Sequence, residues 1–91
     1  VGPTERAVGY AAAAGHRALQ RLAFEEAAAW FDQATALDPP SDDAVELLLG
    51  AAVGYLGAGR NRLALDRYGA AAARAEQVGR PPLVGRAALG F

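Results

Sequence analysis

The chain contains no cysteine, methionine, isoleucine or lysine. Without cysteine there is no disulfide framework, no thiolate metal site and no cysteine nucleophile. Without lysine a phosphate-binding P-loop cannot be completed. Gly57-Ala58-Gly59-Arg60-Asn61-Arg62 begins like a dinucleotide loop, but its third glycine is missing. It also follows a helical pattern, where that fingerprint needs a strand. The formal net charge is only −1, which argues against a domain devoted to neutralising phosphates. The longest uncharged run, Leu47 to Gly59, has 13 residues, well short of the roughly 20 that span a bilayer. A signal-peptide core is mimicked by Ala7–Gly15 after Arg6, yet the run leads into an arginine-bearing helical pattern with no cleavage site. No segment alternates with period two, so no strands are expected.

What remains is apolar and alanine-rich. Apolar residues make up 53% of the 91 positions and charged residues 21%, the balance of a folded domain and not of a disordered tail. A chain this short forms one small domain and buries about 60–65% of its unfolded surface. Alanine fills 24 positions, an excess suited to closely packed helices. The exclusive use of arginine over lysine reads as the codon bias of a high-GC bacterial genome. With Val1 at the start, a cytoplasmic segment of a larger protein is the expectation.

Punctuation divides the chain into five helical segments. Pro3-Thr4-Glu5 marks a start, with Thr4 as cap, and Val8, Ala11, Gly15, Ala18, Leu19 and Leu22 recur at three- and four-residue steps to about Arg21. A second stripe is Phe24, Ala27, Phe31, Ala34 and Leu37, ended by Asp38-Pro39-Pro40. Ser41-Asp42-Asp43 opens a third helix, in which Asp43 and Glu46 have capping-box spacing. Val45, Leu48, Leu49, Ala52, Tyr55 and Leu56 form its stripe before Gly57-Ala58-Gly59. Ala64, Tyr68, Ala71, Ala75 and Val78 mark a fourth helix, closed by Gly79. Pro81-Pro82 begins a fifth that runs to Phe91.

A shift of 37 residues lays the first helix pair on the second. Ala7/Ala44, Val8/Val45, Ala14/Ala51, Leu19/Leu56, Ala27/Ala64, Ala34/Ala71 and Ala36/Ala73 match, and Phe31 falls on Tyr68. In each second helix a small residue, an aromatic and a small residue stand at i, i+4 and i+7: Ala27-Phe31-Ala34 and Ala64-Tyr68-Ala71. Gly15 stands at the close-contact position of the first repeat. In the second repeat Ala52 takes that position, Tyr55 the aromatic and Gly59 the turn position. With Phe24-Glu25-Glu26-Ala27 and Leu37-Asp38-Pro39, these residues resemble the tetratricopeptide-repeat (TPR) family over nearly the whole chain. The departures are Ala18 in place of an aromatic, Leu22 in place of the turn glycine, and Asn61 where the first repeat has Phe24. Arginine- and alanine-rich repeats of this length, with Leu89-Gly90-Phe91 opening a helix, also resemble those of large bacterial ATP-binding transcriptional regulators of the LuxR type.

The resemblance implies an all-α, TPR-like α-solenoid of antiparallel helix pairs in a right-handed stack. Repeat one would span about 8–40, repeat two about 43–79, and a truncated third-repeat helix about 82–91, five helices in all. It implies a non-catalytic protein–protein interaction or intramolecular scaffolding module without cofactor or metal. Peptides would lie along the first helix of each pair, at Ala12, His16, Leu19 and Gln20 and at Glu46, Leu49, Val53 and Leu56. The lysine and asparagine pattern with which some relatives clamp a C-terminal carboxylate is missing. The alternatives are a purely structural solenoid segment with no separate ligand, and a nucleic-acid-binding helical domain.

Other groups have plainer readings. His16, the one histidine, has no carboxylate or second histidine at i+3 or i+4 and suits the groove better than a metal. Adjacent carboxylates Glu25-Glu26 and Asp42-Asp43 point apart on a helix and favour the dipole in first turns. Arg60, Arg62, Arg67 and Arg74 tint the second half basic, but Arg62 and Asp66 at i, i+4 suit a solvated face. Direct nucleic-acid or membrane binding is therefore not expected. Burial is expected for Ala27, Phe31, Ala34, Ala64, Tyr68 and Ala71, and exposure for Arg17, Glu25, Arg62 and Asp66. The truncated third repeat would leave the fourth helix and Leu83, Val84, Ala87, Ala88, Leu89 and Phe91 uncovered, so self-association through the C-terminal end is expected.

Overall fold

The computed structural model describes residues 2–77, which form four α-helices and, among the described residues, no strand. These are α1 (Pro3–Gln20), α2 (Phe24–Ala36), α3 (Ser41–Gly57) and α4 (Asn61–Gln77). The chain is all-α. The fifth helix expected over about 82–91, with its apolar stub, lies outside the described residues.

Prolines set two of the helix starts. Pro3 stands in the first turn of α1 behind Gly2 as N-cap, so Thr4 falls inside the helix and does not cap it. Pro40, with ψ 149, is the N-cap of α3. The helix thus begins at Ser41, ahead of the expected capping box, and Asp43 sits three positions in. No side-chain cap bond forms at either start. Asp42 and Asp43 still lie in the first turn of α3, and Glu25 and Glu26 in that of α2, where negative charge suits the dipole.

The turn inside each helix pair is repeated bond for bond. Leu22 N–H donates to Leu19 C=O at 2.9 Å and Ala23 N–H to Ala18 C=O at 2.8 Å. Thirty-seven residues on, Gly59 N–H donates to Leu56 C=O at 3.1 Å and Arg60 N–H to Tyr55 C=O at 2.8 Å. Both sets are the paired bonds of a Schellman ending, whose pivot residue is left-handed. Leu22 has φ 61 and Gly59 φ 79. Leu22 thus occupies the conformation for which the second repeat uses glycine.

Successive helices pack against one another and run antiparallel. Phe24 at the start of α2 meets Gly57 at the end of α3, and Arg74 near the end of α4 donates to Ser41 Oγ at the start of α3 at 3.3 Å. Helix α2 lies between α1 and α3, and α3 between α2 and α4. The Phe31 ring of α2, 1% exposed, fits only because its neighbours are glycines. A Cβ on Gly15 of α1 would lie 2.8 Å from the ring, and one on Gly50 of α3 would lie 2.9 Å from it. At Gly54 the backbones themselves approach, since a Cβ there would lie 2.8 Å from the Ala28 nitrogen. Alanine lines most of the remaining core, including Ala11, Ala18, Ala27, Ala34, Ala51, Ala64 and Ala71.

Among the described residues, three large members of the expected stripes are exposed. Tyr68 is 37% exposed, unlike its counterpart Phe31, because α3 covers one side of α4 and no described helix covers the other. Leu22 is exposed because its left-handed backbone turns the side chain out at the end of α1. Leu56 is exposed on the outer side of α3, away from the contact of Gly54 and Gly57 with α2. Arg17, Glu25, Arg62 and Asp66 are exposed.

Two sets of substitutions test this packing. Leu22→Gly should stabilise the fold by about 1 kcal/mol and Gly59→Leu should destabilise it by about 1–2 kcal/mol, shifts of several degrees in a thermal melt. Equal melting temperatures for both variants and the parent would refute the left-handed turns. Gly54→Ala should cost about 1–3 kcal/mol in urea unfolding because the Ala28 backbone cannot withdraw. Gly9→Ala, which meets nothing within 4 Å, should instead gain up to about 1 kcal/mol from helix propensity.

Candidate peptide-binding groove

The candidate residues fall on two neighbouring helices joined through α2. On α1, Ala12, His16, Leu19 and Gln20 share one face; on α3, Glu46, Leu49, Val53 and Leu56 share another. Each is exposed or half-buried. Ala12 and Leu19 rest on the core, and Leu49 is half-buried. Val53 and Leu56 are 43% and 53% exposed. His16 lies edge-on to the Phe31 ring, with centroids 5.1 Å apart and planes at 81°.

The rows owe their place to the packed glycines. Gly15 precedes His16, and Gly50, Gly54 and Gly57 directly follow Leu49, Val53 and Leu56. Each glycine presses its inner side against α2. Adjacent residues on a helix point in different directions, so Leu49, Val53 and Leu56 are turned away from that contact, while His16 still meets the Phe31 ring. One pattern thus seats α2 and displays the outer row.

Charged side chains mark the other surfaces. Asp32 of α2 accepts from Arg67 of α4 through two bonds, Nε to Oδ1 at 2.9 Å and Nη2 to Oδ2 at 3.0 Å. The Tyr55 hydroxyl of α3 also donates to Asp32, and the Arg67 guanidinium lies 5.3 Å from the centre of the Tyr55 ring. Three helices are thereby clamped at one partly buried point. Burial disfavours the Asp32 carboxylate, but the hydrogen bonds from Arg67 and Tyr55 and the Arg67 charge outweigh it and hold the pKa below its ordinary value. The bond to Asp32, then burial, raises the Tyr55 pKa, and the same carboxylate raises that of Arg67.

The basic residues of the second half are largely occupied. Arg60 donates to Glu25 at 2.8 Å, Arg74 to Ser41, and Arg67 to Asp32 and Asp66. Asp66 thus pairs with Arg67 and not with Arg62, its expected i−4 partner. A shallow depression at the turn end is lined by Leu22, Ala23, Phe24, Glu25, Glu26 and Ala58. Among the described residues, no group of three acidic, histidine or cysteine side chains is arranged to hold a metal ion. No described helix is long and apolar enough to cross a membrane.

The groove candidates come from the resemblance alone, and sequence reading missed the clamp. Asp32 and Arg67 lie on different helices, so no short spacing joins them. The available signal was a charged residue beside Phe31 on a helix covered from both sides, which must find a partner.

The clamp makes stability depend on acid. The unfolded Asp32 titrates near its ordinary value of about 4 and the folded one lower. Between the two the unfolded chain binds the proton first, so the clamp contributes fully above about pH 4 and is lost as pH falls through the folded value. Urea unfolding from about pH 6 to pH 2 should show a shallower pH slope for Asp32→Asn than for the parent. Identical slopes would mean that Asp32 gains nothing from its partners. Comparison with protein-family models, curated proteins and solved structures finds no match.

Proposed function

We propose that this chain is a TPR-like α-solenoid segment that binds a protein or peptide, without catalysis, along the outer row of α1 and α3. What carries the reading is the displayed apolar row Leu49, Val53 and Leu56 beside His16 and Leu19, held on a framework whose inner side is fixed by glycine contacts. Val53 and Leu56 contribute little to the core, and their exposure one turn apart on α3 suits contact with a partner surface. Glu46 and Gln20 border the apolar side chains and suit an amphipathic ligand. The ligand is an apolar or amphipathic peptide or helix, from a separate protein or from another domain of a larger chain. In the second case the segment is an intramolecular scaffold.

The wider setting we propose is a bacterial cytoplasmic transcriptional regulator of the ATP-binding LuxR type. Its support is the arginine- and alanine-rich composition together with Leu89-Gly90-Phe91. Direct DNA contact is not assigned to this segment, since Arg60, Arg67 and Arg74 are engaged with Glu25, Asp32 and Ser41. ATP hydrolysis and metal binding are not assigned either.

Selection from a displayed peptide library on the 91-residue chain tests the reading. Enriched peptides should carry an apolar stripe and bind in fluorescence anisotropy. Leu49→Glu or Val53→Glu should weaken them by about tenfold or more, of the size expected for placing a charge in an apolar contact. Leu65→Glu on α4 should leave them unchanged. Enriched peptides indifferent to both groove variants would move the site elsewhere, and the absence of any enrichment would favour a purely structural segment.

A further inference from the structure

Helices α2 and α4 are counterparts 37 residues apart, yet among the described residues only α2 of the two is covered on both sides. Ala28 and Phe31 are buried beneath α3, whereas their counterparts Leu65 and Tyr68 are 72% and 37% exposed. Arg62, Leu65, Gly69, Ala72, Ala73 and Glu76 follow one another along a single face of α4 at helical spacing, and each is exposed or half-buried. Gly69 is at its middle. In α1 and α3, glycines at Gly15, Gly50 and Gly54 mark places where another helix comes close. Gly69 weakens its helix in the same way, but nothing lies within 4 Å of the place its Cβ would take. Gly9 is equally open, but the residue four before it is Glu5, while Gly69 has Leu65 four before it and Ala73 four after.

We propose that α4 pairs with α4 of a second copy, antiparallel about a two-fold axis through Gly69. Residues equally far on either side of Gly69 then face each other. Gly69 meets Gly69 at the closest approach, and Leu65 of each copy, four residues before the axis, fills the hollow at Ala73, four residues after it. Seven residues out, Arg62 of each copy meets Glu76 of the other. Neither Arg62 nor Glu76 is in an ion pair among the described residues. A parallel pairing would set Arg62 on Arg62 and Glu76 on Glu76, so charge selects the antiparallel one. Charge also selects a second copy over the chain's own residues 78–91. That segment holds Arg80 and Arg86 and no acidic residue, so it can answer Glu76 but not Arg62, whereas a second copy answers both. The surface is a single helix face, below the roughly 1,000 Å² of stable interfaces, and the dimer is accordingly weak. The pairing lies on α4, apart from the peptide row on α1 and α3, and is independent of it.

Sedimentation equilibrium of the 91-residue chain from about 1 μM to about 1 mM, at low salt where charge pairs are least screened, reads the association directly. The parent should pass from monomer to dimer across that range. Arg62→Glu alone, or Glu76→Arg alone, should weaken association by about tenfold or more, because like charges then face across the interface. Arg62→Glu combined with Glu76→Arg should restore it. The two residues are about 21 Å apart along one helix, so rescue can come only from contact between copies. Circular dichroism confirms that each exposed-site variant stays helical. A monomer throughout, a dimer indifferent to both single changes, or a helical double variant that is not rescued would each overturn the pairing. A monomer in which Leu65 is nevertheless protected from solvent would assign the face to residues 78–91.

Discussion

The described fold depends on one contact, the Phe31 ring held between Gly15 and Gly50. Burying a phenylalanine contributes about 1.5–3 kcal/mol, but here the ring also fixes spacing. It is rigid, and either flanking Cβ would come within 3.0 Å of it. Glycine on both sides lets α1 and α3 close on α2, and only then do Ala11, Ala18, Ala27, Ala34 and Ala51 become large enough to complete the core. An alanine-rich chain has few bulky residues to bury, so it reaches density by approach of backbones instead of by filling space. The glycine positions decide how near that approach can be.

The same constraint organises the outer surface. His16, Leu49, Val53 and Leu56 are each next to a packed glycine in the chain, and the helix turns the last three of them away from α2. His16 touches the edge of Phe31 and so joins the displayed row to the core. Opposing requirements on neighbouring positions are thus met in one short stretch. The glycine must have no side chain, and the residue beside it can be large without disturbing the packing.

What could be read in advance was whatever a single helix determines. Period and punctuation located α1 to α4, and the stripe Ala27-Phe31-Ala34 is buried as its spacing suggested. The shift of 37 residues extends to the paired bonds of the turns, including a left-handed leucine where glycine is usual. Features set between helices were less legible. Gly50 and Gly54 carry no signal within their own helix, because their partners Phe31 and Ala28 lie on another. Asp32 and Arg67 carried no mutual signal for the same reason. The caps failed differently: Thr4 and Asp43 matched a local pattern, but Pro3 and Pro40 had already fixed where the helices begin. The groove candidates came from a resemblance, and each of them is exposed or half-buried.

The two helix pairs share a backbone plan but not a surface. Along α2 the row facing α3 reads Ala28, Phe31, Asp32. Gly54 meets the first, Gly50 the second, and Tyr55 bonds to the third. Along α4 the matching row reads Leu65, Tyr68, Gly69. A helix built like α3 would not fit there, since a backbone that approaches Ala28 closely would collide with leucine at position 65. Nor would it find a carboxylate to accept from a tyrosine. Whatever covers α4 must offer a hollow for Leu65 and come close at Gly69. Those demands are opposite in order to the demands of α2, small residue first and acid last. Repetition in this chain therefore covers the backbone and the inward alanines, and the outer side chains give each face its own choice of neighbour.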